Sequence, residues 1–167
     1  MWEPSGALTV IMATQFDSCK VYIQDIDRET LEKENVNKMI AHYSEELGYD
    51  LGERNDFQIV YGTTTESNLP NRSIDVIYSN ATIHVIDDHD AMLQDLRQKL
   101  KPTGRIFFRD GFKNHNGEEE FCSSKKCAKP LLSVDEFMAM MKNNGYRLIK
   151  ETPNMDGYPI FGFALSD

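Results

Sequence analysis

Apolar positions along this chain follow two rhythms. Six short runs rich in β-branched and aromatic residues, "KVYIQDI", "DFQIVYG", "IDVIYSN", "RIFFRD", "YRLIKET" and "YPIFGFALS", predict strands. Segments with helical spacing lie between most of them. Residues 7–16 are mostly apolar and predict a short buried helix. Asp27 reads as an N-cap and Gly48 as the stop of a second helix, with Leu31, Met39, Ile40 and Tyr43 on one face. A third helix is capped by Asp87 or Asp88 and carries Lys99 and Lys101 at its C-terminal end, where cations complement the helix dipole. In a fourth, Ser133 and Glu136 form a capping box and Gly145 is the stop.

The connections complete the pattern. "TTTESNLPNRS" reads as a polar loop, "KPTG" and "PNMDG" as turns, and residues 111–132 as a long irregular segment of the kind that is usually functional or mobile. "IDVIYSN" is apolar enough to be buried on both faces. Strands alternate with helices until the final pair, which a tight turn joins. That order predicts an α/β fold: three layers, doubly wound, a mostly parallel sheet and a C-terminal antiparallel hairpin. Residues 1–167 are expected to form a single domain.

Composition narrows the function classes. Formal net charge is −9, which argues against a nucleic-acid partner held by bulk electrostatics, and "SSKKCAK" is the one basic stretch. No apolar run is long enough to span a bilayer, so no membrane partner is expected. Cys19, Cys122 and Cys127 are an odd set, read first as intracellular thiols, with a Cys122–Cys127 disulfide as the alternative. Cytoplasmic location is the expectation. A secreted or periplasmic one stays open, because the chain reads as starting inside a motif.

Several residue types sit where chemistry would need them. In open α/β sheets ligands bind outside the carboxyl ends of the strands. Asp25 ends the first visible strand, at the usual spacing of about 20 residues from Gly6, and a carboxylate there accepts hydrogen bonds from a ribose diol. Its bland reading is a solvated strand end. Asn80 ends the third strand. His84 reads first as a half-buried residue beside Ile83 and Val85, and second as a group that touches substrate or takes a proton. Asp110 ends the fourth strand. His115, Cys122 and Cys127 offer three ligands at a spacing that fits no standard zinc site, so no metal is expected.

The element order, with "VYIQDIDRETL" and "SIDVIYSNATIHVIDDHDAMLQDLRQKLKPTGRIFFRDGF", resembles the class I S-adenosylmethionine-dependent methyltransferases over nearly the whole chain. The resemblance implies S-adenosylmethionine as cofactor, at reduced affinity, and a small-molecule acceptor. It implies that Ser5 and Gly6 belong to the cofactor loop, Asp25 and Ile26 to the ribose-binding strand end, Thr63 and Thr64 to the adenine site, and Asn80 to the floor beneath the methionine moiety. His84 and Asp110 then face the acceptor. The chain departs from the family at Pro4, where a glycine is expected, and at Thr63, where relatives carry an acid.

The family places its first strand mid-sheet, and residues 1–4 supply at most its tail. Three outcomes are expected for that largely missing strand: the flanking strands pair directly, another chain fills the slot, or the sequence is a fragment, which is favoured. Methyl transfer to a small molecule is the leading reading. A non-catalytic relative acting in binding or as a partner protein is the alternative, and a nicotinamide enzyme the third. Homo-oligomerisation is left open.

Overall fold

The computed structural model describes residues 6–113, 130–152 and 158–166. Residues 1–5 lie outside that set, and with them Ser5, Pro4 and any first strand. So do His115, Cys122, Cys127, the "PNMDG" turn and most of 111–132. The chain divides into two compact units, residues 1–63 with 67–69, and residues 64–66 with 70–167.

The first unit is built on α1 (Ala7–Ala13), β1 (Lys20–Asp25), α2 (Lys33–Leu47), α3 (Leu51–Arg54) and β2 (Asp56–Tyr61). β1 and β2 pair in parallel, from Lys20 opposite Asp56 to Asp25 opposite Tyr61. Val10, Ile23, Leu31, Val36 and Leu51 form the core between helices and strands. Each such side chain, fully buried, contributes about 1.5–3 kcal/mol.

Three details in this unit differ from the sequence reading. Only Val10 and Ala13 of α1 are buried, while Leu8 and Ile11 are exposed. The Asp27 carboxylate does accept from the Glu29 and Thr30 N–H groups, but the turn it caps closes at Leu31. Glu32 is extended, so α2 starts at Lys33. Finally, α3 was not expected. Asp50 makes it by accepting from Gly52 N (2.8 Å) and Glu53 N (3.1 Å).

The second unit holds β3 (Ile74–Asn80), a 3-10 turn at Ile83–Val85, α4 (His89–Lys99), β4 (Leu100–Arg109), α5 (Val134–Asn143), β5 (Tyr146–Thr152) and β6 (Ile160–Leu165). The sheet order is β3-β4-β6-β5, with β3 parallel to β4 and β6 antiparallel to both neighbours. Helix caps follow the sequence: Asp88 accepts from Ala91 N, and Ser133 with Glu136 completes the capping box. Gly145 turns the chain at φ +79.

α4, α5 and one sheet face enclose an aromatic core. Phe108, Phe137, Phe161 and Phe163 are at most 1 % exposed and meet edge-on or tilted, as Phe108–Phe137 does at 5.5 Å and 80°. The buried Tyr146 hydroxyl donates to Leu93 O at 2.7 Å, and burial pushes its phenol pKa well up.

Two expectations change here. "KPTG" is no turn but the start of β4, carried in a bulge: Ile74 faces Leu100, yet Val76 faces Arg105. β3 is not buried on both faces either. Val76 is 57 % exposed, because only the Ile77 side of the strand packs on the aromatic core. Among the described residues β1 is bonded only to β2, and β3 only to β4. No helix among the described residues is long and apolar enough to cross a membrane.

Candidate active site

In the first unit the candidate residues gather at the carboxyl end of β1. Gly6 precedes α1 in the left-handed region, φ +92. A Cβ there would lie 2.8 Å from Ile23 Cγ2, so the backbone passes over β1 at a distance that only glycine permits. Asp25 closes the strand, half-buried, and its Oδ1 accepts the Asp27 N–H at 3.0 Å. Ile26 follows with 54 % of its surface exposed, an apolar plate beside a carboxylate. The Arg28 guanidinium lies 4.6 Å from the Tyr61 ring, and Tyr61 OH donates to Leu31 O. Thr63, beyond β2, is exposed.

In the second unit His84 and Asp110 meet at the carboxyl ends of β3 and β4, where Asn80 closes β3. Asp110 is 2 % exposed. Its Oδ2 accepts the Ile83 N–H at 2.7 Å, and its Oδ1 lies 2.8 Å from Gly111 N and 2.6 Å from His84 Nδ1. His84 is itself largely enclosed, with 13 % of its side chain exposed. The carboxylate therefore fixes both the turn after β3 and the orientation of the imidazole.

That turn is strained. Ala81 has φ 51, a conformation that costs a non-glycine residue about 1–3 kcal/mol. It is held by Ala81 N donating to Arg109 O at 2.8 Å and Thr82 Oγ1 to Asn80 O at 3.0 Å. Strain held in this way concentrates at functional sites.

Arg109 was missed by sequence reasoning. Its guanidinium donates to Asn80 Oδ1 at 3.1 Å and lies 5.0 Å from the Tyr158 ring. The signal was present in "RIFFRD", since Arg109 directly precedes the strand-end acid. Burial pushes the Tyr78 phenol pKa up, against the opposing effect of Arg109. Thr64 is exposed. No cluster of His, Cys, Asp and Glu able to hold a metal ion occurs among the described residues.

Comparison with known proteins bears on the family and the fold. A family model described as "Methyltransferase domain" matches residues 4–108. Mouse arsenite methyltransferase is 23% identical over 106 residues, covering 64% of this chain and 28% of that enzyme. Arsenite methyltransferase of Aquipseudomonas alcaligenes is 27% identical over 92 residues, covering 51% of this chain and 27% of the enzyme. The matched stretch thus spans about a quarter of these relatives' length.

Among solved structures, the (4+2)-cyclase SpnF superimposes with a TM-score of 0.71 at 11% identity, covering 98% of this chain and 72% of that one. YcgJ of Bacillus subtilis gives 0.64 at 16% identity, covering 98% and 89%. Structural likeness at these identities establishes the fold, and the family model, matching well over half the chain, establishes descent. The chain belongs to the methyltransferase-domain family, of the class I S-adenosylmethionine-dependent kind.

Proposed function

We propose that this chain binds S-adenosylmethionine and serves methyl transfer to a small-molecule acceptor. The observation that carries the reading is Asp25: a half-buried carboxylate closing β1, one oxygen steadied by the Asp27 N–H, with the exposed Ile26 beside it. That pairing of an acceptor with an apolar surface fits a nucleoside. A carboxylate has about four acceptor sites and takes a diol's two hydroxyls readily. The glycine that lets the backbone cross Ile23 supports the same reading.

Asp25 would hold the ribose, Ile26 one face of the adenine, and Thr63 with Thr64 the adenine edge. Asn80 would lie beneath the methionine moiety, and His84 and Asp110 would serve the acceptor side. When bound, S-adenosylmethionine supplies an electrophilic methyl on a sulfonium, so the protein's task is largely orientation. Relatives act on arsenite by name, and one solved neighbour holds 1,6-didemethyltoxoflavin with S-adenosylhomocysteine, which favours a small acceptor. Thr63, a hydroxyl where the family carries an acid, favours reduced affinity, and it is the observation behind a second reading: a fold relative that binds without catalysing transfer.

Calorimetric titration with S-adenosylmethionine and S-adenosylhomocysteine separates the two. Saturable binding of both, with transfer of radiolabelled methyl to a panel of small acceptors, is the expected result. Binding without any transfer favours the second reading, and absence of binding refutes the methyl-transfer reading.

A further inference from the structure

A polar cavity in the second unit lies away from the strand ends described above. Its volume is about 890 Å³, within the ordinary range for small-molecule sites. It sits where β4 begins at Leu100 and where Gly145 leads α5 into β5. β3 and β4 start at this edge, whereas His84 and Asp110 lie beyond their other ends. Arg72 and Arg97 line the cavity, together with the amide residues Gln94, Gln98 and Asn143 and with Ser166. Among the described residues its lining includes no acid and no aromatic ring. In a chain of formal net charge −9, an acid-free cavity with two guanidinium groups is a local reversal of charge.

The bland reading is that these arginines neutralise the carbonyl ends of α4 and α5, each worth about half an elementary charge. Backbone donors already meet several of those carbonyls. Arg72 N donates to Gln98 O at 2.9 Å, Ser73 N to Lys99 O at 3.0 Å and Gly145 N to Lys142 O at 3.1 Å. The acids of α4 are occupied elsewhere: Asp90 accepts from Asn144 Nδ2 at 2.6 Å, and Asp95 pairs with Lys99 at 3.1 Å. Neither Arg72 nor Arg97 forms an ion pair among the described residues. Arg97 is also held in place. A Cβ on Gly145 would lie 3.0 Å from its Cζ, so the guanidinium rests over bare glycine backbone at φ +79. Arg72 belongs to neither helix, and its φ of 50 is uncommon outside glycine.

We propose that this cavity binds a phosphate monoester of a polyhydroxy compound, chemically a sugar phosphate. Guanidinium groups take phosphate oxygens through paired N–H donors. Side-chain amides and a hydroxyl both donate and accept, which suits the hydroxyls of a polyol. A nucleotide fits less well, because the lining offers its base no aromatic plane on which to stack.

Calorimetric titration of the whole chain with glucose 6-phosphate, glucose, inorganic phosphate and adenosine 5′-monophosphate tests the assignment. Glucose 6-phosphate should bind saturably, about tenfold or more tighter than inorganic phosphate, and glucose should give no measurable heat. Arg72→Gln and Arg97→Gln, both at exposed positions, should each weaken that binding about tenfold or more and leave the unfolding midpoint near that of the wild type. Amide spectra of the labelled wild type should show the largest shifts at Gly145 and Ser166. Shifts centred on Gly111, at the carboxyl edge, overturn the proposal. So does absence of binding, or binding that neither substitution weakens. Equal affinity for glucose 6-phosphate and inorganic phosphate, or tighter binding of adenosine 5′-monophosphate, overturns the ligand class.

Discussion

Asp25 ends β1 and Asp110 directly follows β4, and they are built for different work. Asp25 at the end of β1 is half-buried, with a local bond from the N–H two residues on. Asp110 at the end of β4 is 2 % exposed, and accepts from a turn N–H 27 residues away, from the next backbone N–H and from an imidazole. Residue type and topological position are the same. The difference lies in how deeply each carboxylate is buried. A half-buried strand-end acid suits a ligand that comes and goes. A buried, multiply bonded one is part of the frame, and reaches a ligand only through the group it holds.

The largest expected effect follows from that contrast. Asp110→Ala removes the acceptor of three buried donors and should destabilise the chain by about 3–5 kcal/mol, the scale of breaking a buried charged network. Urea unfolding measures it. A loss near that of an ordinary surface change would mean that the network contributes little.

Gly6→Ala probes the other end of the comparison. The Cβ would collide with Ile23 Cγ2 at 2.8 Å and the backbone would be held at φ +92. An effect of about 1–3 kcal/mol on unfolding is expected. Unchanged stability would show that α1 shifts freely.

Asp25→Ala should change stability by less than about 1 kcal/mol. S-adenosylhomocysteine binding should weaken by about 1–3 kcal/mol, the scale of lost charged hydrogen bonds. Calorimetry and thermal unfolding on one preparation would sharpen the contrast with Asp110.

The smallest effect belongs to an exposed acid. The Ser133 N–H, the Ser133 side chain and Lys113 hold the Glu136 pKa below its usual value. A depressed carboxylate stabilises the fold above its unfolded pKa, near 4.5, and that stabilisation disappears as pH falls through the folded value. The acid limb of the stability curve should therefore be shallower in Glu136→Gln than in the wild type. Identical limbs would refute the assignment.

Much of the frame was legible because its signals are local. Asp88, the Ser133–Glu136 box and the glycines at 48 and 145 each act within one turn, and the sequence displays them directly. Asp27 misled for the same reason: it caps a turn, but whether that turn continues depends on Leu31 entering the core and Glu32 extending. "KPTG" has turn composition, yet its pairing with β3 draws it into a bulged strand. The apolar letters of "IDVIYSN" do not reveal that Val76 stays exposed, since exposure depends on which elements pack there.

The site divides along the same line. Asp25, Asn80 and Asp110 were placed at strand ends by pattern, and His84 four residues beyond one. That His84 and Asp110 bond each other was not legible, because 26 residues separate them and only the β3–β4 pairing brings them together. Arg109 escaped for a similar reason, its bond to Asn80 crossing the same pair of strands.

The most direct test sets the two aspartates side by side. Asp25→Asn and Asp110→Asn keep shape and remove charge, and each is titrated with S-adenosylhomocysteine and melted in parallel with the wild type. Asp25→Asn should lose cofactor affinity with an unfolding midpoint close to the wild type. Asp110→Asn should retain affinity with a lowered midpoint. If both variants lose affinity and stability together, or if Asp25→Asn binds like the wild type, the division of labour between a ligand-holding acid and a frame-holding acid is wrong.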